Sequence, residues 1–146
     1  MTNGGSMELV QTGNVIDTFL LMSNELISPK ILYCPADKDR SGIVNFNGLA
    51  STNISYFIGV DVINDLMPRQ MISGDCNFEL GSTLVKSGLQ PFWTNDPVAW
   101  TSNRHGHNSG YIGLVDGSAQ STTLVNWHYS YDMQLTGSAT NRFAIP

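Results

Sequence analysis

The amino-acid sequence predicts an α+β fold, one amphipathic helix packed on an antiparallel β-sheet with long loops. Three observations predict it. Val15, Ile16, Phe19, Leu20, Met22, Leu26 and Ile27 recur at helical spacing. The run Asn53–Val60 mixes alternation with aromatic and β-branched residues, the composition of a strand. Asp116-Gly117 lies between the apolar run Tyr111–Val115 and the returning segment Ser118–Val125, and this residue pair favours a tight hairpin turn. A chain of 146 residues suffices for one domain, 1–146, with one core.

Taken in order, residues 1–13 form an extended entry segment whose apolar pair is Leu9-Val10. The helix covers Val15–Ile27, with Asn14 or Asp17 to cap its start and Pro29 to stop it. Its Met and Leu stripe is core, since such a stripe must be buried. Ile31–Cys34 is a short strand ended by Pro35, and 36–42 is a charged loop read as solvated. Asp37 and Asp39 do not complete a calcium-loop pattern, because no bidentate Glu closes the loop. Segments 53–60 and 70–76 pair as an antiparallel hairpin across a turn at 61–68. Gly81, Gly88, Pro91 and Pro97 make 77–103 an irregular excursion pinned by Trp93 and Trp100. The sheet is completed by 110–125, a short helix is expected within 121–135, and 136–146 is an extended end.

Composition limits the function. Charged residues make up 13% of the chain, against about 25% in an ordinary soluble domain, and Ser, Thr, Asn and Gly fill the difference, as in many exported proteins. Net charge is −5 and the seven basic residues are scattered, so nothing in the sequence would grip a phosphate backbone, and nucleic acid is not an expected partner. The stretch Val15–Ile27 is broken by Asp17, Ser23, Asn24 and Glu25, and no run approaches the roughly 20 apolar residues of a membrane span. The first residues lack the basic head and apolar middle of a signal peptide. Cys34 and Cys76 are a candidate disulfide or two buried thiols, too few and too far apart to make a zinc site by themselves.

The densest chemistry is at 104–120. His105 and His107 are two apart, on one face if extended, and a third ligand from Asp116, Asp75 or Asp96 would complete a divalent-metal site. The plainer alternative is a pair of exposed loop histidines. A sugar-binding or hydrolase reading would use Trp93 and Trp100 with a carboxylate pair such as Asp75 and either Asp96 or Asp116. No serine sits in a Gly-x-Ser-x-Gly elbow, and Gly106, Gly110 and Gly113 match neither a phosphate loop nor a dinucleotide fingerprint. No residue is expected to be catalytic.

The stretch ending in Asp116-Gly117 resembles the processing-associated motif of prepilin-like, pseudopilin-G-like proteins of bacterial type II secretion: a histidine, nine residues, then Asp-Gly. Further similar pieces are Met22–Leu26 followed by Pro29–Leu32, Cys34-Pro35-Ala36-Asp37, Asn53–Gly59, and Thr140–Pro146. Ten residues separate His105 from Asp116 and eight separate His107 from it, and Cys76 stands where the family pattern has Arg. The resemblance implies a periplasm-facing head, excised from a longer protein anchored by an N-terminal membrane helix. Such a head assembles with like subunits and inner-membrane secretion components into a pilus-like filament, presenting loops 35–47, 77–103 and 103–110. It also implies a candidate calcium site in which Asp96, Asp116 and loop carbonyls supply oxygen.

Overall fold

The computed structural model describes residues 5–62, 70–93, 96–122 and 140–146, apart from the side chain of Met7. Three short helices come first: α1 (Ser6–Gln11), α2 (Val15–Leu21) and α3 (Ser23–Leu26), followed by 3-10 turns at Pro29–Leu32 and Ser51–Asn53. The strands are β1 (Tyr56–Gly59), β2 (Met71–Asp75), β3 (Phe78–Leu80), β4 (Thr83–Leu84), β5 (Gly88–Trp93), β6 (Val98–Trp100), β7 (Gly110–Leu114), β8 (Ala119–Thr122) and β9 (Thr140–Ile145). Six form a sheet in the order β5-β9-β1-β2-β7-β8, and three form a smaller sheet in the order β4-β3-β6. All their pairings are antiparallel.

The larger sheet is covered on both faces along β5, β9 and β1, and the strand pleat shows why. Phe57, Ile112, Leu114, Phe143 and Ile145 point to one side, where they meet Phe78, Val98 and Trp100 of the small sheet. Neighbouring residues point the other way: Ile58, Ala144 and Leu89 pack with Val10, Val15 and Phe19 of the helices. On the first side the rings of Phe57, Phe78, Phe92 and Trp100 meet edge to face, with centroids 5.5 to 5.9 Å apart. Such pairs add about 0.5–1.5 kcal/mol each beyond the area they bury.

The expected α+β arrangement of one helix on one sheet is therefore corrected to a mainly β fold, with two sheets and only short helices among the described residues. Asn14 does cap α2, accepting from the Asp17 N–H at 3.0 Å. The helix does not continue to Ile27. Met22 leaves helical geometry at φ −88° and ψ 9°, ending α2 and starting α3, and the residues that follow, Ser23 and Asn24, are weak helix formers. Ile27 has φ 63° and is 86% exposed, so the apolar stripe ends in solvent. Pro29 opens a 3-10 turn that replaces the strand expected at 31–34. The hairpin of 53–60 with 70–76 forms as β1 and β2, with Tyr56 opposite Asp75.

The excursion at 77–103 is a sheet of its own plus the edge strand β5. Trp100 is buried and donates Nε1–H to Thr122 Oγ1 at 2.9 Å, while Trp93 is half exposed, so one indole pins this region. Most of the helix expected at 121–135 lies outside the described residues.

Candidate functional site

A polar centre lies at the end of the large sheet where β1 starts, β2 finishes and β7 starts. Its first half is built on Asp37, which the sequence reading placed in solvent and the fold buries completely. Asp37 Oδ2 meets Arg104 Nη2 at 2.7 Å and Arg40 Nη1 at 3.2 Å, and it accepts from Ser55 Oγ at 2.8 Å. Asp37 Oδ1 accepts the backbone N–H of Asp39 at 3.1 Å. Arg104, with its side chain 4% exposed, also donates to the Ser55 carbonyl at 2.7 Å and approaches Cys76 Sγ at 3.2 Å. Ser55 Oγ accepts from the Cys34 N–H at 3.0 Å. The charge can be buried because two cations and two further donors surround it; a lone carboxylate there would be prohibitive.

The second half shares neighbours with the first. His105 Nε2 lies 3.1 Å from Asp75 Oδ2 and 3.7 Å from Cys34 Sγ. Asp75 is the last residue of β2, and its Oδ2 takes the Tyr111 N–H of β7 at 2.7 Å. Oδ1 of the same buried carboxylate has no hydrogen-bond partner among the described residues. Burial pushes the Asp75 carboxyl above the usual carboxylate range, opposed by the Tyr111 N–H, His105 and Arg104. The half-buried Tyr56 phenol is raised to about 12, first by burial and then by the neighbouring Cys34 and Asp75. Burial also raises the Cys76 thiol, against the pull of Arg104.

The candidate residues from the sequence separate. Among the described residues, one group of three metal-ligating side chains has its ligand atoms within 4.8 Å of one another: Cys34, Asp75 and His105. His107, Asp96 and Asp116 are not in it. His107 is exposed, with φ 66°. Asp96 Oδ2 caps the Trp93 N–H at 2.8 Å. Asp116 and Gly117 are the exposed end of the β7–β8 hairpin: Asp116 Oδ1 accepts the Ser118 N–H at 2.9 Å, and the Gly117 N–H returns to the Leu114 carbonyl at 3.0 Å. The loop holds three residues, Val115 to Gly117, rather than the two expected, and Gly117 takes the left-handed position at φ 83°. Cys34 and Cys76 are both free thiols, each with its own polar neighbour, which corrects the candidate disulfide.

The sequence reading missed Asp37 and Arg104 as site residues and gave Cys34 no role beyond a disulfide. A charged loop after Cys-Pro carries no sign that one of its aspartates is buried, and Cys34 and His105 stand 71 positions apart. A thiol–imidazole–carboxylate relay is not assembled, because thiol and carboxylate both approach Nε2, whereas a relay uses the two ring nitrogens separately. Trp100 and Asp75 are buried, so these two side chains do not form an exposed platform. Searches of protein-family models, of curated proteins and of solved structures return no match to this chain.

Proposed function

We propose that the chain is the globular head of a pseudopilin-like subunit of type II secretion, a structural module that works by assembling with like subunits on the periplasmic side of the inner membrane. The observation that supports this is where the segments behind the resemblance meet. Cys34 and Asp37 from Cys-Pro-Ala-Asp, Ser55 and Tyr56 from Asn53–Gly59, and Arg104-His105 before the Asp-Gly turn all contribute to one polar centre. Residues that are scattered in the sequence thus have a common physical task, which is to close one end of the sheet. In this proposal the histidine-to-Asp-Gly motif holds the fold and is not catalytic.

The test is to read the genomic sequence upstream of Met1 and to follow a chromosomally tagged copy through membrane fractionation and in vivo cross-linking. A prepilin-type leader with an apolar helix, and cross-linked ladders of like subunits, are the expected result. A monomer in a membrane-free fraction, with no such helix encoded upstream, would overturn the proposal.

A further inference from the structure

The geometry points to a metal site made by Cys34 Sγ, Asp75 and His105 Nε2, with a zinc-class divalent ion as its ligand; this goes beyond the pseudopilin proposal and does not depend on it. The three donor atoms lie within 4.8 Å of one another and come from three distant parts of the chain. In a tetrahedral zinc site, bonds of about 2.0–2.3 Å put nitrogen and sulfur about 3.6 Å apart and nitrogen and oxygen about 3.4 Å apart. Here those separations are 3.7 and 3.1 Å.

A second, independent feature is the carboxylate itself. Asp75 is 1% exposed, and its Oδ1 is buried without a hydrogen-bond partner among the described residues, a costly arrangement that a cation engaging both carboxylate oxygens would relieve. That thiol, imidazole and carboxylate all approach one point also fits ligation better than acid–base chemistry, since Nε2 has one lone pair or one proton to offer and two neighbours facing it.

The charges and the surroundings fit. A thiolate and a carboxylate balance a divalent ion, while Arg104 remains matched with Asp37. The Tyr111 N–H fixes Asp75 Oδ2. A donor set of sulfur, nitrogen and oxygen suits zinc and cobalt, whereas calcium takes oxygen alone. Three protein ligands leave a fourth position for water or for a group from a partner.

The experiment uses the reduced chain stripped with chelator and titrated with Co²⁺ under anaerobic conditions, then with Zn²⁺. A thiolate-to-cobalt charge-transfer band that saturates at one equivalent and is bleached by Zn²⁺ is expected, together with a rise in Tm with Zn²⁺ and none with Ca²⁺. Cys34→Ser removes the band and weakens Zn²⁺ binding by more than about 100-fold, and Cys76→Ser behaves as wild type. If Cys34→Ser does not fold, Asp75→Asn, which keeps an oxygen for the Tyr111 N–H, carries the same test through its loss of affinity. Absence of the band in the wild-type chain, its survival in Cys34→Ser, wild-type affinity in Asp75→Asn, or its loss in Cys76→Ser would each overturn the site. None of these results bears on filament assembly, so the two proposals fail separately.

Discussion

The two ends of the stretch from Arg104 to Gly117 have opposite physical lives. Arg104 and His105 are drawn into the polar centre and touch residues from three other segments, whereas Asp116 and Gly117 are exposed and, among the described residues, bond within their own hairpin. One end couples distant parts of the chain, and the other sets a local direction. The comparison teaches that residues adjacent in a motif need not share a role, and that the histidine end is where substitution has long reach.

The sharpest way to break this comparison is Arg104→Ala. It leaves Asp37 buried with Arg40 as its remaining cation, at a cost of about 3–5 kcal/mol, which denaturant unfolding would detect as a lowered midpoint. A cost no larger than that of a surface substitution would mean that the two ends are alike. Next comes Gly110→Ala, between the ends. A Cβ there would stand 2.6 Å from the Trp100 ring, itself fixed in the core, so overpacking should cost about 1–3 kcal/mol. Gly117→Ala at the exposed end meets no neighbour and suffers only its left-handed φ, about 1–2 kcal/mol. A Tm series of the three variants should fall in that order.

Acidity sharpens the comparison further, because the carboxyl beside His105 and the one at the turn are shifted in opposite directions. Asp75 is raised, so the folded chain holds its proton more tightly than the unfolded chain does. The stability this supplies is full below the ordinary carboxylate value and is lost as pH rises through the raised one. Metal-free melts across pH should show that decline in the wild type and a flatter profile in Asp75→Asn; equal slopes would count against it. Asp116 is lowered by the Ser118 hydroxyl and N–H, so its contribution is present above the ordinary value and is lost as pH falls through the lowered one. Asp116→Ala should be the mildest change, visible as a slightly earlier acid transition and nowhere else.

Local patterns were legible in the sequence and long-range ones were not. The β1–β2 hairpin and the Asp-Gly turn follow from alternation and turn chemistry within a few residues. The mainly β architecture was missed for two reasons. Phe57 and Ile58 are neighbours packed into different cores, so a strand covered on both faces does not alternate cleanly, and the strands within 77–103 are only two to six residues long. The helix was overextended because its apolar spacing continues past Met22, while Leu20 and Leu21 are already turned partly to solvent. Asp75 could be named as a third ligand from its chemistry, but its meeting with Cys34 and His105 depends on the loop before β7 folding back over the ends of β1 and β2.

The strand order of the large sheet also governs when this chain can fold. β9 lies between β5 and β1 and pairs with both, so a strand that starts 47 residues after β5 ends, from Trp93 to Thr140, occupies an interior place in the sheet. During synthesis β1, β2 and β7 can find one another, but β5 has no place in the sheet until Thr140–Ile145 has left the ribosome. Closure at that step brings together residues as far apart as Gly59 and Phe143, a separation that slows folding through the entropy of joining distant segments. Until then the apolar faces of Phe57 and Phe92 that rest on Phe143 stay uncovered, the kind of exposed surface that makes a partly folded chain prone to aggregate.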